Sequence, residues 1–169
     1  MAHQTILVLD FGSQYTQLIA RRLRELSVYS VILPFDTPID ELRACQPAGV
    51  VLSGGPASLF DDGAPRCEPA VFELGVPMLG ICYGMQLITD ALGGTVGRAP
   101  EREYGHAIVT VDGESPLFQD VPREFRVWAS HGDLVEQVPP GFSIGATSAN
   151  APVVAMQDPE RGLYGLLFH

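Results

Sequence analysis

The chain has 169 residues, 46% of them hydrophobic, enough for one well-filled core and without sign of a second, so a single domain is expected. A formal net charge of −10 at pH 7 opposes binding to a nucleic-acid backbone, which needs clustered cations. All ten basic residues are arginine, and the lack of any lysine removes Schiff-base chemistry, Ser-Lys dyads and the P-loop lysine from what this chain does by itself.

The N-terminal MAHQTILVLDFG has no basic segment ahead of its apolar stretch, so Ile6 to Leu9 reads as a first strand and not as a leader. No apolar run approaches the roughly 20 residues that cross a bilayer. No membrane association and a cytoplasmic location are the expectation. Ser13 is a candidate N-cap for a helix whose apolar positions Tyr15, Leu18, Ile19, Leu23 and Leu26 recur at three- and four-residue steps. A second strand, Ser30 to Leu33, and a short helix from Ile39 to Cys45 lead to a third strand, Gly49 to Leu52. A Gly/Pro loop, a helix near Pro69 to Leu74 and a strand running into Cys82 follow. Near-continuous apolar strands separated by helices predict an open α/β, mainly parallel sheet with helices on both faces. After Gly94, strands predicted at Tyr104–Val111, Phe125–Trp128, Phe142–Thr147, Val153–Met156 and Leu163–Phe168 have few helices between them, so the sheet is expected to be mixed, with an antiparallel extension. Cys45, Cys67 and Cys82 are an odd number at unrelated spacings, which opposes a disulfide framework and leaves no CxxC metal pair. Cys45 and Cys67 read as packing residues, and no metal site is expected.

GICYGMQ, Gly80 to Gln86, lies where the apolar run from Val76 gives way to a helix-forming segment closed by Gly93-Gly94. A cysteine at such a strand-to-helix turn is held in a strained backbone conformation that projects its side chain toward solvent. The residues two before and two after must be small, because the turn folds them together. Gly80 and Gly84 meet that demand, making G-x-C-x-G the sulfur counterpart of the G-x-S-x-G elbow. The adjoining helix N-terminus predicts a stabilised thiolate and a lowered pKa. Cys82 is therefore a candidate nucleophile, although these five residues equally fit a small buried cysteine beside two turn glycines.

Ser53-Gly54-Gly55-Pro56 follows the third strand and opens at the same sheet edge as Cys82, the edge where open α/β sheets place ligands. Its backbone suits one half of an oxyanion hole, the Tyr83 N–H being the other, and it also fits an ordinary βα turn. The last predicted strand delivers His169 to a place from which an imidazole reaches Cys82, with His3, His106 and His131 as competitors.

GICYGMQ, the upstream SGGP and the final GLLFH together resemble the class I glutamine amidotransferases, a flavodoxin-like family with a Cys-His-Glu triad. Within it, LVLDFGSQYTQLIARRLREL at 7–26, LSGGP at 52–56 and WASHGD at 128–133 are similar to the amidotransferase domain of glutamine-hydrolysing GMP synthetases. The resemblance covers essentially the whole chain. It implies that Cys82 attacks the side-chain amide of glutamine, that the Gly55 and Tyr83 amides hold the oxyanion, and that His169 passes a proton to departing ammonia. Ser53, Gly54, Gln86, Ser130, His131, Gly132 and Asp133 are then expected at the glutamine pocket, with His131 equally able to cap a turn or face a partner domain.

The same resemblance implies no cofactor in this domain. ATP and Mg²⁺ belong to an ATP pyrophosphatase domain of the same enzyme, and the full-length protein is expected to be a homodimer aminating XMP. The family pattern continues past the histidine with Pro and the triad Glu, so residues 1–169 are expected to be a domain lacking its C-terminal end, with the pyrophosphatase and dimerisation domains absent. Glu160 is one candidate to orient His169 instead. Two other functions share the elbow: a stand-alone γ-glutamyl hydrolase, and a redox sensor built on a low-pKa thiol.

Overall fold

The structure is a computed structural model describing residues 3–169. Thr5–Asp10 forms β1, in which Leu7, Val8 and Leu9 are all fully buried, the mark of a strand covered on both faces. Thr16–Glu25 (α1), Tyr29–Pro34 (β2), Ile39–Ala44 (α2), Gly49–Leu52 (β3), Met78–Ile81 (β4) and Tyr83–Ala91 (α3) follow. The second half contributes Thr95–Val111 (β5), Glu124–Gln137 (β6), Ser143–Thr147 (β7), Ala155–Asp158 (β8) and Leu163–Leu166 (β9).

The nine strands among the described residues join one sheet in the order β2-β1-β3-β4-β9-β8-β7-β5-β6. β2, β1, β3, β4 and β9 run parallel, and from β9 to β6 every neighbour is antiparallel. This is the expected mixed sheet with its antiparallel extension. The two-residue strand period divides the helices between its faces. Leu52, Gly80 and Gly165 meet Gly84 and Met85 of α3 on one side. Val51, Leu79, Ile81 and Leu166 turn to the other, where with Leu18, Ile19 and Leu23 of α1 and Leu26 just after it they line an apolar groove of about 520 Å³. No helix among the described residues is long and apolar enough to cross a membrane.

Three expectations need correcting. Ser13 does not cap α1: Tyr15 occupies the N-cap position, and the Ser13 hydroxyl accepts the Tyr15 amide one turn earlier, at 2.9 Å. The segment near Pro69 is a five-residue 3₁₀ turn, Pro69–Glu73, too short to span the sheet. β5 begins at Thr95 and β6 runs on to Gln137, so WASHGD lies within a strand. Their polar and glycine-rich stretches carry no apolar alternation; they become strands because they pair with each other, Gly97 with Leu134 and Arg98 with Asp133, across a register shift between Arg98 and Glu103.

Parallel strands bring their carboxyl ends to one edge. There β1 ends in Phe11–Tyr15, β3 in Ser53–Gly55, β4 in Cys82 and β9 in His169.

Candidate active site

Cys82 joins β4 to α3 with φ 53° and ψ −106°, a left-handed conformation that a residue with a Cβ adopts only under constraint. Its amide donates to the Leu166 carbonyl at 2.6 Å, and its carbonyl accepts the Gln86 amide at 3.1 Å, so both neighbours in space fix the turn. The elbow expected from G-x-C-x-G is present. Its thiol, however, is not projected into solvent: Cys82 is only 6% exposed, and its Sγ–H donates to the Ser130 carbonyl at 3.6 Å.

That burial overturns the expected low pKa. Loss of hydration pushes the Cys82 thiol up to about 11; the Tyr83 amide opposes this and the Asp133 carboxylate adds to it. Desolvation outweighs the helix terminus. The His169 imidazole is shifted the other way, below its ordinary value, by burial first and by His131 second. Burial thus acts on both groups in one sense, favouring the uncharged thiol and imidazole over a thiolate–imidazolium pair.

The two side chains share a cavity of about 260 Å³, with Gly12–Tyr15, Gly55, Pro56 and Ser130 as its other walls. Gly54 lies between them: a Cβ placed on it would sit 3.4 Å from both the Cys82 Cβ and the His169 Cε1. The imidazole is held by its main chain. The His169 amide donates to the Trp128 carbonyl at 2.8 Å, and the Trp128 amide donates back at 2.9 Å. Glu160 does not orient it. That residue is exposed in the turn before β9, at the opposite end of the strand.

A second cavity of about 270 Å³ opens on the Cys82 thiol and is lined by Gly55, Tyr83, Gln86, Ser130, His131, Gly132 and Asp133, with Pro56, Ala57 and Tyr104 completing it. All but two of the expected pocket residues are thus brought together. The exceptions are Gly54, which separates Cys82 from His169, and Ser53, which is fully buried. The Ser53 hydroxyl accepts the Phe11 amide and donates to the Gly54 carbonyl, both at 2.9 Å, tying the β1 and β3 loops together and facing neither cavity. Gly55 passes so close to Phe11 that a Cβ would meet its carbonyl oxygen. The Tyr83 hydroxyl donates to the Pro65 carbonyl at 2.6 Å, and its amide, the first of α3, has no intrahelical partner.

His131 does not cap a turn, since it lies within β6. Its Nε2 is 3.2 Å from Oε2 of Glu103, directly across the strand pair, and both side chains are nearly buried. Burial lowers the His131 pKa and Glu103 partly restores it. Glu103 is a site residue that the sequence does not reveal, because it depends on register across a bulge. Arg102 is another: its side chain lies over Gly132, 3.6 Å from where a Cβ would be. Gln86 Nε2 donates to the Asp133 carbonyl at 3.4 Å, and the Asp133 carboxylate accepts the Ser58 hydroxyl at 2.5 Å.

Cys67 is buried, as expected, and burial pushes its thiol up to about 11, whereas Cys45 is exposed and not a packing residue. A small alkylating reagent is therefore expected to modify Cys45 first at pH 7, with the Cys82 rate climbing steadily toward pH 11. An electrophile shaped like glutamine and seated in the second cavity should reverse that preference. Peptide mapping after timed labelling checks both; a Cys82 rate that levels off near pH 7 would mean a standing thiolate.

The family model described as glutamine amidotransferase class-I matches residues 7–169. Over all 169 residues the chain is 52% identical to the glutamine-hydrolyzing GMP synthase of Syntrophomonas wolfei subsp. wolfei, of which it covers 33%. Over 167 residues, 99% of the chain, it is 52% identical to the Bacillus anthracis protein of the same description, again covering 33%. The chain thus spans about one third of the length of these relatives. Among solved structures, a protein from Thermoplasma acidophilum, provisionally described as a GMP synthase subunit, superposes with TM-score 0.90 at 32% identity, over 100% of this chain and 85% of that one. A glutamine amidotransferase from Thermotoga maritima, 23% identical over 100% of this chain and 76% of its own, shares the fold with TM-score 0.76.

Proposed function

The chain belongs to the class-I glutamine amidotransferase family, and on that premise we propose that its site hydrolyses glutamine to glutamate and ammonia, supplying a synthetase that aminates XMP to GMP with ATP. The arrangement that supports this most is the strained Cys82 at the end of β4, with His169 on one side and a polar cavity on the other. Glutamine enters the cavity of Gln86, His131, Gly132 and Asp133 with its side-chain amide toward Cys82. Sulfur attacks the amide carbon as the thiol proton passes to His169, and the Gly55 and Tyr83 amides take the oxyanion. Collapse breaks the C–N bond, and the imidazolium returns its proton to the leaving ammonia. Water, deprotonated by His169, then attacks the glutamyl thioester and releases glutamate with the thiol restored. Ser53 serves by holding the two loops together and Gly54 by leaving room between nucleophile and base.

ATP and Mg²⁺ would be bound by the ATP pyrophosphatase domain of a longer protein, since no lysine is available here to cradle phosphates. We place that protein in the cytoplasm and expect it to work as a homodimer. Full-length protein given XMP, ATP and Mg²⁺ is expected to form GMP with glutamine, and equally with ammonium salts at high pH. Residues 1–169 alone should form none from either nitrogen source. Product analysis by chromatography decides. Amination of an acceptor other than XMP would overturn the synthetase assignment, and glutamate release with no amination at all would favour the stand-alone γ-glutamyl hydrolase.

A further inference from the structure

β5 and β6 fall out of step beside the cavity that opens on Cys82. From Arg98 to Glu103 β5 advances five residues while its partner strand advances two, from Asp133 to His131, so β5 bulges out of the ladder there. Bulges re-aim side chains and are frequent next to active sites. This one carries Arg102 back over Gly132, whose missing Cβ leaves it room: the Arg102 Nε lies 3.6 Å from where that Cβ would be. Beneath the bulge is a cavity of about 350 Å³ lined by Ser58, Asp61, Arg98, Arg102, Tyr104 and Asp133. It shares Pro56, Ala57, Tyr104, Gly132 and Asp133 with the cavity on the Cys82 thiol. Two charges of each sign thus surround it, a set suited to an α-amino acid zwitterion. Arg98 is set over the Phe60 ring, 5.5 Å from its centroid, and Asp61 accepts the Ser58 amide at 2.8 Å. Arg102 and Asp133 are the pair beside Gly132, where the two cavities meet.

β6 sets the distance between this pair and the nucleophile. The Cys82 Sγ–H donates to the Ser130 carbonyl, and Gly132 lies two residues further along the strand, about 6.6 Å away. Extended glutamine spans about 5 Å from its amide carbon to its α-carboxylate carbon. A substrate whose amide carbon touches Cys82 therefore brings its α-carboxylate to the Gly132 backbone, under Arg102.

We infer that Arg102 is a specificity-determining residue that receives the α-carboxylate of glutamine, with the cavity beneath the β5 bulge as the subsite. The inference rests on the proposed glutaminase reading of Cys82. The planar guanidinium matches a carboxylate with two parallel hydrogen bonds. It also offsets the repulsion that a substrate carboxylate meets from Asp133 in the same wall, in a chain of net charge −10. The subsite selects a free amino acid. A glutamine residue inside a peptide has its α-carboxyl tied up as a neutral amide and offers Arg102 no charge. Because the α-carboxylate is remote from the bond that breaks, the contact is equal in ground and transition states and is felt in KM.

The test is steady-state hydrolysis by the full-length protein, unaltered or carrying Arg102→Gln or Arg102→Lys, with XMP, ATP and Mg²⁺ present. Two substrates are compared: glutamine, and glutamine α-amide, in which the α-carboxylate is a neutral carboxamide. Chromatography follows glutamate from the first and isoglutamine from the second. Arg102→Gln is expected to raise KM for glutamine about 10- to 100-fold, the size expected of hydrogen bonds between charged groups, with kcat within about threefold. Arg102→Lys, which keeps the charge and loses the fork, should fall between. On the α-amide the unaltered protein should already be poor, and Arg102→Gln should make it no poorer, because the same contact is missing from both sides. Unchanged KM for glutamine, a loss confined to kcat, or equal losses on the two substrates would overturn the inference. So would a fall in amination from ammonium salts in step with that from glutamine, which would set Arg102 against the rest of the protein. If the unaltered protein releases no glutamate, the glutaminase reading fails first; if it does and Arg102→Gln matches it, only the carboxylate subsite falls.

Discussion

Replacing Cys82 by alanine is expected to cut glutamine-dependent amination by the full-length protein on the order of 10⁴-fold or more, while amination from ammonium salts stays within about twofold. The size follows from the site having one sulfur placed to attack. Cys67 is buried beside the Pro69–Glu73 turn and Cys45 is exposed near the end of α2, so neither can stand in. The selectivity follows from geometry as well: the alanine fits the strained turn no worse than cysteine does, since both carry a Cβ at φ 53°. Parallel assays with the two nitrogen sources check it. Retention of even a few per cent of the glutamine-dependent rate would require another nucleophile, and equal loss from both sources would point to a damaged fold.

Gly84→Ala is expected to destabilise the domain by about 3 kcal/mol or more, lowering Tm by roughly 6–12 °C and abolishing glutamine hydrolysis. A Cβ there would lie 2.8 Å from the Leu52 Cβ and 2.9 Å from its carbonyl carbon, overlapping a fully buried central strand. Gly80 is constrained in the same way from below, its added Cβ falling 2.7 Å from the Met85 amide nitrogen. The strand, the elbow and the helix thus touch backbone to backbone. Relief would have to move α3 away from the sheet, and Cys82 with it. Gly145→Ala serves as the comparison, because its Cβ would make ordinary contacts of 3.5 Å or more in unstrained backbone. Thermal unfolding of the two variants side by side would discredit the packing argument if they melted together.

The parallel half of the fold was legible because its strands are apolar throughout, β1 and β3 being buried on both faces and the edge strand β2 still carrying Val31, Ile32 and Leu33. Unbroken apolar runs locate Thr5–Asp10, Tyr29–Pro34 and Gly49–Leu52 to within a residue at each end. β5 and β6 were legible only in part. The first part of β5 is polar and largely exposed, and β6 beyond Trp128 interleaves polar residues and a glycine without apolar alternation although most of it is buried, so pairing, not composition, decides where they begin and end. The same divide runs through the site. Gly80 and Gly84 announce the elbow because a close approach permits no other residue. The depth at which the elbow buries its thiol depends on β6 folding over it, which no local spacing encodes; hence the inverted expectation for its pKa. Glu103 was invisible beside the site for a related reason, since it meets His131 only through the pairing of β5 with β6.

The placement of β9 between β4 and β8 has a kinetic consequence. Met78 pairs with Leu163, 85 residues further along, and the intervening chain must form or bypass β5 to β8 before that pairing closes. Parallel contacts of such separation bear the full loop-closure entropy before they return any stabilisation, and they form late. Until they do, β4 is an open edge: its backbone is unpaired on one side, and the Cys82 amide has lost its Leu166 acceptor. The elbow is encoded within a few residues and can turn early, yet the histidine that gives it chemistry arrives with the slowest-closing pair of the sheet. Recovery of a working site is therefore governed by the docking of a four-residue strand that follows β4 by some 85 residues, and not by the turn that holds the nucleophile.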